Sequence, residues 1–230
     1  VTDVTDGSSV TIDKAAPSFV EITTDTTAGT YKIGDSITIK ATWNENVVVD
    51  TATPPTLTLN NSKTATYSSG SGSTILVFTY TISENDGNVN PLSVTQYNNT
   101  ITDNAGNTAA GAAGALTGIN VDATKPTLGS VTIASNNANT SLAKVGNTVT
   151  LSFTASEAIQ SPTVTILDNS VTASNTSNNN WTATHTVDAN DTAGAVSFSI
   201  GFNDLAGNDG IPVTDVTDGS SVTIDKAAPS

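Results

Sequence analysis

Eighteen residues, VTDVTDGSSVTIDKAAPS, fill positions 1–18 and recur without a change at positions 213–230. Identity over that length excludes coincidence, and a fixed period is the mark of a chain assembled from repeated structural units. The spacing of 212 residues sets the period, which is long enough to hold two ordinary domains. Weaker echoes divide it. IDKAAP at 12–17 is answered by VDATKP at 121–126 and again by IDKAAP at 224–229. YKIGD at 31–35 matches AKVGN at 143–147, and DNAGN at 103–107 matches DLAGN at 204–208. The expected partition gives residues 1–13 to the final strand of a preceding repeat and 14–122 to a first domain. A second domain takes 123–225, and 226–230 open the next linker. The chain is expected to be an internal piece of a longer protein, since it shows no signal peptide, transmembrane run or initiator Met.

Within each half the apolar residues alternate in period two. Ile37, Ile39, Ala41 and Trp43 alternate with Ser36, Thr38, Lys40 and Thr42, and the second half answers with Val149, Leu151, Phe153 and Ala155. Leu76, Phe78, Tyr80 and Ile82 correspond to Trp181, Ala183, His185 and Val187, and Val196, Phe198, Ile200 and Phe202 form another such run. That pattern predicts strands with one face inward and one wet. Turn signals at short intervals separate them: Pro54 and Pro55, Asn60 and Asn61, and the Ser69 to Gly72 run, then Asp168 to Ser170 and Asn178 to Asn180 in the second half. No helical periodicity is sustained. The fold class is therefore all-β, two antiparallel β-sandwiches of about seven strands each.

Composition removes several functions. Twenty-one acidic residues against seven lysines and no arginine leave a net charge of −14. Phosphate neutralisation needs basic clusters, so nucleic acid is excluded as a partner, and an anionic membrane surface is disfavoured for the same reason. Cysteine is absent, so neither disulfides nor thiol chemistry contribute. No Ser–His–Asp set, H-E-x-x-H motif or nucleotide-binding glycine loop occurs, so no enzyme is read here. A carboxylate pair serves a glycosidase only in a cleft with aromatic subsites, and two small sandwiches poor in aromatics predict none.

The runs YKIGDSITIKATWNENVVV, PTLTLN, TATYSSGSGS, FTYTI and ITDNAGN resemble the bacterial immunoglobulin-like tandem repeats of giant secreted surface adhesins. The second half, with VGNTVTLSFTASEAI, PTVTI and FNDLAGN, resembles a sister class of the same repeats. The resemblance implies an immunoglobulin-like fold and a role in extracellular stalks, often stiffened by calcium, whose binding activity sits elsewhere.

Sandwich topology brings distant carboxylates to one end of a domain. The second strand runs toward Glu45, or Glu157 in the second domain, and the sixth toward Asp103 or Asp204. The preceding domain's last strand arrives at the same end with Asp13 or Asp122. Like charges so placed repel, and a Ca2+ ion, which takes six to eight oxygen ligands with tolerant geometry, relieves the repulsion. One site is expected from Asp13, Glu45 and Asp103, another from Asp122, Glu157 and Asp204, with Asn107 and Asn208 completing the shells. Asp225 begins a third. The alternative is that these are solvated loop carboxylates, the Asp of each D-x-A-G-N motif accepting backbone hydrogen bonds in its own turn.

Other residues carry structural readings. His185, Trp43 and Trp181 are expected in the core, and Asp188 and Asp191 are expected to cap a turn. Lys40 points outward, which argues against a buried isopeptide bond. Six Asn-x-Ser/Thr sequons begin at Asn60, Asn98, Asn139, Asn175, Asn180 and Asn190, a number that chance supplies in so Asn- and Thr-rich a chain. The functional expectation is a spacer or stalk repeat of a large extracellular adhesin or fibre at the cell surface, stiffened by calcium at interdomain joints. Its partners would be identical repeats in the same chain or fibre and other copies reached through a sheet edge, with no direct membrane insertion. A surface-layer or sheath subunit packing laterally and a carbohydrate-binding module are the alternatives.

Overall fold

The computed structural model describes residues 10–227, and strands are the only regular structure among them. The chain divides into two compact units between Ala123 and Thr124. The first unit holds β1 (Phe19–Thr23), β2 (Gly29–Tyr31), β3 (Ser36–Val49), β4 (Thr56–Leu59), β5 (Thr64–Ser69), β6 (Ser73–Thr81), β7 (Ser93–Asn98), β8 (Ile101–Thr102), β9 (Gly114–Ala115) and β10 (Ile119–Val121). The second holds β11 (Leu128–Ser135), β12 (Leu142–Ala143), β13 (Thr148–Ala155), β14 (Thr163–Ile166), β15 (Asn169–Ser177), β16 (Asn180–Thr186), β17 (Gly194–Ala195), β18 (Phe198–Gly201) and β19 (Thr223–Ile224).

In the first unit a path of hydrogen-bonded neighbours runs β1-β3-β6-β5-β4-β7-β9, β8 pairs with β3, and β2 pairs with β10. Register shifts in β3 between Thr42 and Val47, and in β5 between Tyr67 and Ser69, interrupt the ladder. Such irregularities bend a strand and let a continuous sheet turn over onto itself as a sandwich. The second unit runs β11-β13-β16-β15-β14-β18, with a separate β12-β19-β17 group. Each unit repeats one device. Its opening strand lies antiparallel on its neighbour, β1 on β3 and β11 on β13. A short following segment then pairs in parallel with the closing strand, β2 with β10 and β12 with β19. These are tandem immunoglobulin-like β-sandwiches.

The alternating residues form the two cores. Ile37, Ile39, Ala41, Trp43, Leu76, Phe78, Tyr80 and Ile82 are all buried in the first, and Val149, Leu151, Phe153, Ala155, Trp181, Ala183 and Val187 in the second. Trp43 packs its indole edge-to-face on Phe19 at 6.1 Å. Both tryptophans are therefore core residues. Lys40 is partly exposed and pairs with Asp25. Beyond about seven principal strands per unit lie two-residue pieces such as β8, β9, β12 and β17, too short for an alternation to register in sequence.

The echoed turns have one geometry. Asp35 accepts the Lys32 N–H at 3.0 Å, and Asn147 accepts that of Lys144 at 2.9 Å. Gly34 and Gly146 stand at φ +93° and +90°, a left-handed conformation that glycine adopts without steric cost. The segment expected as the final strand of a preceding repeat behaves differently in its two copies. Its residues 1–9 lie outside the described residues. Val10 and Ile12, which follow, are 90% and 77% exposed and belong to no strand, whereas their repeats Val222 and Ile224 are 1% and 2% exposed.

Candidate metal centre

In the first unit, β8 follows the far end of β3, with Val48 opposite Thr102 and Val49 opposite Ile101. This pairing carries Glu45, at the irregular stretch of β3, toward Asp103, which directly follows β8. The chain before β1 is held on the same unit, where Ser18 and Asn44 exchange hydrogen bonds of 2.8 and 3.0 Å. Asp13 lies four residues before Pro17, a buried residue of that segment. One carboxylate oxygen from each of Asp13, Glu45 and Asp103 falls within 4.8 Å of the others. None of the three is in a salt bridge among the described residues.

The D-x-A-G-N motif is a closed turn around its aspartate. Asp103 Oδ1 accepts the N–H groups of Ala105 and Asn107, both at 2.8 Å, and Oδ2 accepts the Asn107 side-chain amide at 2.7 Å. The Asn107 side chain, with the backbone N–H groups of Asn107, Ala105 and Gly106, holds the Asp103 carboxyl below its ordinary value despite its burial. The Asn107 amide nitrogen also reaches the Asp13 carbonyl at 3.3 Å. Asn107 thus braces Asp103 and Asp13 as a donor. The three carboxylates offer charged ligands, and Oδ2 of Asp103 keeps one acceptor site beyond its bond to Asn107.

The second unit repeats the turn. Asp204, 1% exposed, accepts from Gly207 N–H at 2.6 Å and Asn208 N–H at 2.8 Å through Oδ1, and from the Asn208 amide at 2.8 Å through Oδ2. Gln160 Nε2 donates to the Asp204 carbonyl at 3.0 Å, and Ile159 bridges to Asp204, which fixes the segment after Glu157. Glu157 and Asp204 present carboxylate oxygens within 4.8 Å of each other. Asp122 closes β10 in the first unit, where its N–H donates to the Tyr31 carbonyl at 2.9 Å and its Oδ1 accepts from Asn88 at 2.9 Å. Asp225 follows β19, is exposed, and accepts the Ala227 N–H at 2.8 Å, as Asp13 accepts that of Ala15 at 3.0 Å.

A second pair of equivalent sites carries buried charge. Asp86 accepts the Tyr80 hydroxyl at 2.8 Å and the Ser83 N–H at 2.9 Å, and pairs with Lys63 at 3.0 Å. Burial pushes the Asp86 carboxyl up, but Ser83, Tyr80 and Lys63 together outweigh it and leave it lowered. Burial, then Asp86, raise the Tyr80 hydroxyl above the usual phenol range. In the second unit His185 takes the tyrosine's place, 2.8 Å from Asp191, which also accepts the Asp188 N–H at 2.8 Å. Burial again opposes ionisation of Asp191, and Asp188, His185 and Lys226 overcome it. Asp188 and Asp191 do cap the turn after β16. The His185–Asp191 pair escapes a sequence reading, although the alignment of the two halves, with Asp191 beneath Asp86 and His185 beneath Tyr80, contains it.

No family model matches this chain, and no curated protein matches it. Among solved structures it is similar to Rst D1-D2, at 10% identity over 90% of this chain and 100% of that one, with a TM-score of 0.37. It is similar also to domains of titin, at 12% identity over 92% of this chain and 66% of that one, with a TM-score of 0.29. The strand pairing within each unit, rather than these likenesses, establishes a tandem of immunoglobulin-like sandwiches.

Proposed function

We propose that this chain is a spacer segment of a long extracellular surface protein, an adhesin stalk or fibre, in which Ca2+ ties the end of one sandwich to the start of the next. The gathering of Asp13, Glu45 and Asp103 carries this reading: Asp13 precedes β1, and by the 212-residue period it corresponds to Asp225, which follows the closing strand of the second unit. A cation held there would fasten a closing strand to the following unit. The sequence echo extends the same role to Asp122 with Glu157 and Asp204, and to Asp225 with a following repeat. Three hard oxygen ligands of full charge suit Ca2+ better than Mg2+, which keeps more of its water. Asn107 and Asn208 hold the motif's aspartate in place, as supporting donors do around a metal.

Calorimetric titration of the chelator-treated full chain with CaCl2 tests the proposal. Uptake is expected with a dissociation constant on the order of 10⁻⁴ to 10⁻³ M, the range of extracellular calcium modules. Glu45→Gln, which leaves the D-x-A-G-N turn intact, is expected to weaken uptake, and Asn107→Ala to weaken it roughly 10- to 100-fold. Absence of heat and an unchanged melting temperature would remove calcium from the reading and leave a metal-free spacer.

A further inference from the structure

The two units solve one electrostatic problem differently. Each buries an aspartate, Asp86 at 4% and Asp191 at 8% exposure. Strand register makes their surroundings comparable residue by residue. Tyr80 lies opposite Ile37 and His185 opposite Val149. The N–H three residues before each aspartate, that of Ser83 or Asp188, donates to its Oδ2 at 2.9 or 2.8 Å. Leu59 and Ile166 close the echoed runs PTLTL and PTVTI. Across the hairpin that follows, Leu59 N–H donates to the Lys63 carbonyl, and Ile166 stands opposite Asn169, so Lys63 and Asn169 are equivalent. In the first unit the Lys63 ammonium lies 3.0 Å from Asp86 Oδ1. In the second, the Asn169 amide nitrogen is 3.4 Å from Asp191 Oδ1, a long contact and the only one that oxygen has among the described residues.

Where lysine gives way to asparagine, space opens. A pocket of about 510 Å³ lies beside Asp191, walled by Asn169, Asp168 and Asp188, with Leu167 and Ala195 as apolar walls. His185 takes up Oδ2 of Asp191 at 2.8 Å. Lys226 bonds the main-chain carbonyls of Ala189 and Asp191 and forms no salt bridge with the Asp191 carboxylate among the described residues. A buried, ionised oxygen is thus left without the charged donor that its counterpart has. We infer that this pocket receives a primary alkylammonium group from outside the chain, in the role that Lys63 plays within the first unit. The ammonium donates to Asp191 Oδ1, a charge-assisted bond stronger than the neutral amide of Asn169 can make. Asp168 and Asp188 add their field, and the methylene stem lies on Leu167 and Ala195 as lysine stems lie along apolar surface. A lysine side chain of a partner protein and a free diamine share this chemistry. The inference does not rest on calcium at Asp13, Glu45 and Asp103.

The chain's single histidine supplies the readout, since His185 bonds the other oxygen of the same carboxylate. The full chain is titrated with n-butylammonium chloride at constant pH and ionic strength and followed by NMR. The His185 ring signals are expected to shift to saturation with a dissociation constant on the order of 10⁻³ M. Nα-acetyl-lysine methylamide and 1,5-diaminopentane separate the two sources: tighter binding of the first identifies a protein-borne lysine, and of the second a free diamine. Tetramethylammonium, which carries charge but no N–H, is expected to leave the signals in place. Asn169→Lys restores the first unit's pairing. It is expected to abolish the shift and to raise the second unit's melting temperature by roughly 4–8 °C. His185 signals unmoved by n-butylammonium, or moved as far by tetramethylammonium or CaCl2, overturn the inference. So does a shift that survives Asn169→Lys, or a melting temperature that this substitution lowers.

Discussion

Asp103 and Asp204 each close a turn and face a second carboxylate. The turn asks for an ionised side chain that accepts three donors, and the cluster asks for the same charge near others of its kind. At Asp103 the two demands meet because the turn's donors stabilise the anion. Asp103, Asp86, Asp191 and Asp218 all titrate below the ordinary carboxylate value. A group whose folded value is depressed stabilises the fold above its unfolded value and loses that contribution as pH falls through the folded one. With an unfolded Asp value of about 3.9, melting temperature measured in chelator is expected to hold from neutrality to about pH 5 and to fall below about pH 4. Asp103→Asn, which removes one titrating group from the set, should flatten that acid limb. A melting temperature that rises on acidification would contradict the assignment.

At the scale of elements, the turn before β3 and its echo before β13 show how little freedom the chain has between strands. Gly146 N–H donates to Val187 O at 2.8 Å while its φ is +90°, and a Cβ there meets nothing within 4 Å. The cost of Gly146→Ala is therefore conformational, with no clash added. It is expected to destabilise the second unit by about 1–2 kcal/mol, a fall of roughly 4–16 °C in its melting temperature on the scale of a small domain. Unchanged thermal unfolding would show that the turn relaxes. Long alternations such as those of β3, β13 and β16 were plain in the sequence because each residue declares its face. The two-residue pieces carry no such pattern, and their pairing depends on partners distant along the chain. The same holds at the candidate site. Asp13, Glu45 and Asp103 could be placed together by strand direction, whereas the donation from the Asn107 amide nitrogen to Asp103 and Asp13 depends on side-chain geometry that spacing does not encode. His185 read as a core residue, and its bond to Asp191 needed the turn's fold.

Across the whole molecule, the repeated 18-residue sequence supplies its own internal control. Digestion of the chain yields a peptide spanning Val10 to Asp13 and another spanning Val222 to Asp225 with the same composition and mass. In one copy Val10 and Ile12 lie in solvent; in the other, the N–H groups of Thr223 and Asp225 are bonded across β12. Native-state deuterium exchange followed by mass spectrometry should therefore split this single peptide into two isotopic populations. One should exchange at the rate of an open chain and the other at the rate of global or sub-global opening. A single merged envelope would mean that both copies share one environment. The composite signal turns an ambiguity that normally spoils such experiments into a ruler, because chemistry, length and intrinsic exchange rate cancel and only the protection conferred by the surrounding sandwich is left to measure.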